Sequence, residues 1–185
     1  MKIEKENRVT LTPAKEAELP EFQKNLQKAF AVAVVETFGD CDNGPIPPDE
    51  VVQESFKASG AVVYHILLDG KKVGGVVLSI NKETHHNSLD LLFVFPEYNS
   101  HGIGFATWKA IEAKYPETAV WELVTPYFEK RNINFYVNKC GFHIVEFYNE
   151  YHPDPHERHD GREDDRMLPG MDAFFRFEKA MKKQI

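Results

Sequence analysis

The sequence predicts one mixed α/β domain spanning residues 1–185, and three observations carry that prediction. Apolar residues switch repeatedly between a period of two and a period near 3.6, which separates strands from helices. Read in order, the elements run β α α β β β α β α β β, the pattern of a layered α/β structure. No internal repeat or interdomain linker interrupts them, and 185 residues can bury a core without staples.

Arg8 to Thr12 alternates weakly and reads as a first strand. From Leu19, Phe22, Leu26, Ala29 and Ala33, with Phe30 and Val34 beside them, recur at three- and four-residue spacing, so a helix runs to Gly39. The polar loop GDCDNGPIPPDE follows, and Pro47-Pro48-Asp49-Glu50 opens a shorter helix with acids in its first turn. Ala61–Leu68 is a strand, Asp69-Gly70 a hairpin turn, and Lys72–Ile80 a returning strand apolar on both faces and therefore central. Leu89–Phe95 is another buried strand, after which a helix runs to about Tyr115. Trp121–Thr125 is a strand, Asn132–Lys139 a helix, Gly141–Phe147 a strand, and Ala173–Phe177 the last strand.

Asp and Glu outnumber Lys and Arg by 29 to 22, a net charge of −7, which disfavours a non-specific nucleic-acid binder and suits a cationic substrate. Cys41 and Cys140 stand far apart, outside any disulfide framework or CxxC spacing. The N-terminus MKIEKENRVT has no apolar signal core, and no apolar run reaches membrane-spanning length. The expectation is a reduced, soluble, cytoplasmic protein that engages no membrane.

The stretch FVFPEYNSHGIGFA, residues 93–106, passes from a strand through two glycines into a helix. Unpaired N–H groups at a helix start attract an anion, and glycine lets backbone approach a diphosphate. Gly102-Ile103-Gly104 is followed by Phe105, Ala106 and Thr107, so the dinucleotide spacing GxGxxG is absent; so is the GK[ST] of a P-loop. Taken alone, the two glycines suit a tight turn as well as a phosphate.

Their surroundings are more specific. A buried strand ending Val94-x-Pro96, then Asn99-Ser100-His101-Gly102-Ile103-Gly104, then a helix, resembles the acyl-CoA motif of the GNAT N-acetyltransferase superfamily: Arg or Gln, two residues, Gly, one residue, Gly or Ala. Further on, Asn132 to Phe142, with Phe135-Tyr136 and Gly141-Phe142, is similar to the family's second signature. The element order fits as well, so the resemblance covers nearly the whole chain. It implies a mostly antiparallel sheet splayed at a β-bulge, acetyl-CoA as cosubstrate, an amine as acceptor and no metal. Dimers are frequent among such domains.

On that resemblance, the pantetheine arm pairs with the backbone of Phe93 and Val94, and the Val94 N–H polarises the thioester carbonyl. Main-chain N–H groups across His101, Gly102, Ile103, Gly104, Phe105 and Ala106 hold the pyrophosphate. Asn99 stands where the family has Arg or Gln, so the side-chain grip at that position is reduced. Asn132 is placed against the pantetheine amides. Tyr136 matches the family tyrosine that returns a proton to the leaving thiolate. Neutralising a primary ammonium of pKa about 10 at pH 7 costs roughly 4 kcal/mol, so a base is also needed. Glu36, about 40° from Phe22 at 100° per residue, falls on the apolar stripe of its helix and is one candidate. Glu97, after Pro96, is another, and a water chain a third.

A module of the same fold that senses acyl-CoA without turnover would need neither Tyr136 nor a base. HPDPHERHD, residues 152–160, invites a metal reading, but Pro153 and Pro155 break helical presentation and HERH is one residue short of HExxH. It reads instead as a polar loop bordering the acceptor pocket. Asp40, Asp42, Glu163, Asp164 and Asp165 in the two rim loops favour a cation.

Overall fold

Asp69 and Gly70 both take positive φ, 49° and 83°, and so close a tight hairpin between β2 (Ala61–Leu68) and β3 (Lys71–Ser79). Five further strands extend this pair into one sheet: β1 (Val9–Pro13), β4 (His86–Val94), β5 (Val120–Pro126), β6 (His143–Tyr148) and β7 (Phe174–Ala180). Their order is β1-β2-β3-β4-β5-β7-β6, and all neighbours are antiparallel except β4 and β5. The structure is a computed structural model that describes residues 9–39, 44–155 and 172–182. Of the rim residues expected from sequence, Asp40, Asp42, Glu163, Asp164 and Asp165 lie outside them, as do Cys41, His156 and His159.

Strand alternation divides the core. On one face, α3 (Ile103–Lys114) and the segment around Tyr136 cover Val76, Leu78 and Leu89, with Trp108, Trp121, Phe142 and Phe177 filling the layer. On the other, α1 (Leu19–Phe38) and α2 (Asp49–Lys57) cover Val77 and Phe93 with Phe22, Leu26 and Val52. α1 tolerates Pro20 in its first turn and stops at Gly39, whose φ is 81°.

Most strand bounds shift by one to three residues from the sequence reading, and two differences have a clear physical reason. β4 begins earlier, because Asn87 is buried with its polar atoms satisfied: Nδ2 donates to Thr118 (2.7 Å) and Oδ1 accepts from Asn81 N–H (2.8 Å). The expected helix Asn132–Lys139 is a short α4 (Lys130–Asn134) that widens into a π-helical turn, Phe135–Cys140. That turn buries Tyr136 and Cys140 together and closes where Gly141 adopts φ 79° and Phe142 N–H donates to Tyr136 O.

β4 and β5 pair only over His86–Ser88 and Val120–Glu122, and then part. On its other side β4 remains bonded to β3, with a bulge at Asp90 where the register slips between Val77 and Leu78. Asp90 accepts hydrogen bonds from Ser79 (2.6 Å) and Ser88 (2.5 Å), and burial raises its carboxyl above the usual range. α1 seats Phe22 above Gly75, where an added Cβ would stand 2.2 Å from the Phe22 ring and 2.7 Å from the Phe93 ring. Gly75→Ala is therefore expected to destabilise the domain by about 1–3 kcal/mol. Chemical denaturation should show this as a lower midpoint with an unchanged slope.

Candidate active site

The parting of β4 and β5 opens a cleft of about 960 Å³. α1 contributes one wall, β4 and the turn into α3 another, and the chain from Phe128 to Lys139 the third. The Phe95 N–H donates to Val73 O at 2.8 Å, so Phe95 and, two residues earlier, Phe93 direct their backbone groups at β3. By alternation, Leu92 and Val94 direct theirs at the gap. Both expected strand residues line the cleft, but Val94 and Leu92, rather than Phe93, present backbone to it.

At the turn, Gly102 sits in the left-handed region (φ 75°) and caps α3. The N–H groups of Ile103, Gly104 and Phe105 are the first three of the helix and have no acceptor within it, whereas Ala106 N–H is taken by Gly102 O (3.0 Å). Asn99, Gly102, Ile103, Gly104 and Phe105 line the cleft. His101 is exposed outside that lining, with Nδ1 2.8 Å from Asn99 O.

Sequence reading missed the cations here. Arg131 Nη2 donates to Ser100 Oγ at 3.1 Å, pinning a guanidinium beside the turn, and Lys130 and Lys139 also line the cleft. A positive charge that Asn99 lacks thus arrives from α4. The clue in the sequence is the run Lys130-Arg131 at the head of the second signature, whose partner at Ser100 is set only by the fold.

Asn132 and Tyr136 line the same wall. Tyr136 is 8% exposed, and no hydrogen-bond partner for its hydroxyl is present among the described residues. Burial first, then the neighbouring Cys140 and Glu129, raise its pKa above that of a free phenol. The hydroxyl therefore keeps its proton at any physiological pH. Cys140, buried beneath, has its thiol pushed up to about 12 by burial.

Of the two carboxylate candidates, Glu36 lines the cleft and Glu97 does not; Glu97 is exposed on the turn Pro96–Tyr98. Glu36 is itself exposed rather than buried, on the part of α1 that lines the open cleft. A third carboxylate, Glu129, lines the cleft opposite it. Glu129 is half-buried, and burial raises its carboxyl, with Glu36 adding to the rise and Arg131 opposing it.

The residues matched by the Acetyltransferase (GNAT) family are 26–142, most of the chain including the cleft. The chain belongs to that family. It is 68% identical to the uncharacterized protein YrkN of Bacillus subtilis (strain 168) over 184 residues, with all of both chains covered. Its fold matches the ribosomal-protein-S18-alanine N-acetyltransferase of Escherichia coli at TM-score 0.67 and 15% identity, over 96% of this chain and 99% of that one. An acetyltransferase of the GNAT family from Elizabethkingia anophelis, solved with acetyl-CoA bound, matches at TM-score 0.67 and 15% identity, over 96% of this chain and 100% of that one. At such identities the two structures show a shared fold, and the expected sheet splayed at a bulge is that fold.

Among the described residues no three His, Cys, Asp or Glu stand together as metal ligands, and no helix is long and apolar enough to cross a membrane. His152 stacks on Tyr148 and lies 3.6 Å from Glu146.

With its thiol pKa pushed up to about 12 and only 2% exposure, Cys140 is expected to resist alkylation in the folded protein at pH 8. Iodoacetamide followed by peptide mapping should find Cys140 unmodified until denaturant is added.

Proposed function

We propose that the chain transfers an acetyl group from acetyl-CoA to a primary amine by direct attack in a ternary complex. The observation that carries this reading is the coincidence, in one cleft, of β4 backbone that β5 leaves unpaired, a helix start and a buried phenol that has no hydrogen-bond partner among the described residues. The residues fit the coenzyme. Leu92 and Val94 offer a strand edge to the pantetheine amides, with Asn132 facing them. The N–H groups of Ile103, Gly104 and Phe105 meet the pyrophosphate, and Arg131, with Lys139, balances its charge.

Each group then has a task. Val94 N–H polarises the thioester carbonyl. Glu36, in the open part of the cleft, holds the positive charge of the acceptor. Tyr136 supplies the proton that the leaving thiolate takes. No acyl-enzyme on Cys140 is invoked, since a buried thiol with its pKa pushed up to about 12 is a poor nucleophile at neutral pH and Cys140 does not line the cleft. The acceptor is an amine, and the acids at its end of the cleft favour a cationic one. A sensing module without turnover would not require the proton held on Tyr136.

A thermal melt with acetyl-CoA, and with NAD and ATP as controls, is the direct check. Acetyl-CoA at a hundred times its Kd should add about 2.7 kcal/mol, a rise of several degrees in Tm that neither control produces. Arg131→Ala should weaken acetyl-CoA binding about tenfold or more by isothermal titration, the worth of a hydrogen bond to a charged group. Tyr136→Phe should lower kcat about a hundredfold while leaving that affinity unchanged. An acetylated cysteine trapped during turnover would defeat the direct mechanism.

A further inference from the structure

The cleft holds one group that the reading above leaves idle. Glu129 lies on the short link between β5 and α4, where its N–H donates to Pro126 O at 3.1 Å. Beside it, Phe128 packs edge-on against Phe38 at the end of α1, ring centroids 5.0 Å apart. That contact ties the last turn of α1 to the link, and it sets Glu36, two residues before Phe38, across the cleft from Glu129. Tyr136 opens into the same space with its hydroxyl unpartnered among the described residues.

Resting on the acetyltransfer reading, we propose that Glu129 is the proton acceptor for the attacking amine and that Glu129 and Glu36 together select an aliphatic ammonium as substrate. Two carboxylates in one partly desolvated space repel, and an ammonium between them relieves that repulsion. Glu129 is the half-buried member of the pair, and desolvation and its like-charged neighbour favour its protonated form against the pull of Arg131. Glu36 from α1, Lys130 and Arg131 from α4, and Tyr136 and Lys139 from the π turn line the cleft with Glu129, although the Lys130 ammonium lies over the Tyr127 ring, 5.8 Å from its centroid. Arg131, held by Ser100, lies toward the coenzyme end, where the phosphates of bound acetyl-CoA neutralise it.

The ammonium gives one proton to the Glu129 carboxylate and becomes a free amine. Its lone pair forms the N–C bond to the thioester carbonyl carbon, and the C–S bond then breaks. The sulfur takes the Tyr136 proton, the amide nitrogen returns its surplus proton to the tyrosinate, and Glu129 releases its own to solvent. One proton is released per acetyl group transferred.

The test uses the full chain, acetyl-CoA and aliphatic amines from n-butylamine to 1,4-diaminobutane, with free CoA release followed against pH. For the wild type, kcat/KM should rise with pH through a limb set by Glu129, since the base works only when deprotonated. Glu129→Gln should lower kcat about a hundredfold at neutral pH and abolish that limb, with rate recovering only where the amine is itself neutral. Glu129→Asp should restore part of the rate, and both variants should bind acetyl-CoA like the wild type, which also confirms that they fold. Glu36→Gln should shift the limb to lower pH, because removing the like charge lowers the carboxyl of Glu129, and should raise KM for the amine more than it lowers kcat. Unchanged kcat and an unchanged limb in Glu129→Gln would overturn the assignment while leaving acetyltransfer standing. A wild type that binds acetyl-CoA but acetylates none of these amines would overturn the substrate class. A wild type that does not bind acetyl-CoA would instead remove the reading on which the inference rests.

Discussion

A strand in the middle of a sheet has backbone donors and acceptors on both sides, and β4 satisfies only one side along most of its length. β3 takes the first set as far as Val94, while β5 takes the second only over His86–Ser88. Leaving buried backbone unpaired costs about as much as losing the bond outright, so the open half of β4 demands water or a ligand. What keeps it open is local. The Asp90 bulge, held by Ser79 and Ser88, bends β4 where it would otherwise follow β5. Below that point Asn87, Thr118 and the Ala119 N–H to His85 O bond (2.8 Å) clamp the two strands together. A closed end and a sprung end therefore adjoin within a few residues.

The two layers of core then fix what lines the opening. On one side Trp108, Trp121 and Phe142 support the π turn from beneath and hold Tyr136 at the mouth; Trp108 meets Trp121 at 5.5 Å and Phe142 at 4.9 Å. On the other, Phe22 settles into the space above Gly75 against Phe93 and lays α1 along the gap. The last turn of α1 is caught by Phe128, whose ring packs edge-on against Phe38. Residues distant in sequence thus share one cavity through two packing decisions, the glycine under Phe22 and the ring pair at Phe38.

Much of this was legible in the sequence because it is encoded locally. Ala61–Leu68 announces itself by β-branched and apolar content, Asp69-Gly70 by its turn chemistry, and α1 by spacing and its terminal Gly39. The turn at Gly102 and the Tyr136 segment were legible through motif, which stores a geometry too long-range for periodicity to reveal. Glu129 was not legible. It is a polar residue in a short link, and its setting is made by Phe38 and Phe128, ninety positions apart in the chain. Arg131 was hidden for the same reason, since nothing local ties it to Ser100. Glu36 was half legible: helical phase placed it on the stripe that lines the cleft, but phase alone does not reveal that this end of the stripe is exposed.

On the proposed assignment, the electrostatics of the cleft also order the chemistry in time. Glu129, when ionised, helps to hold the proton on Tyr136, so the phenol does not give it up to an empty site. Once Glu129 has taken a proton from the ammonium, that opposition ends, and a tyrosinate becomes less costly at the moment the thiolate needs protonating. A positively charged acceptor is thus more than a guest that two acids tolerate. Its deprotonation neutralises one charge that, after burial and Cys140, raises the Tyr136 phenol, and so links the first proton transfer to the second.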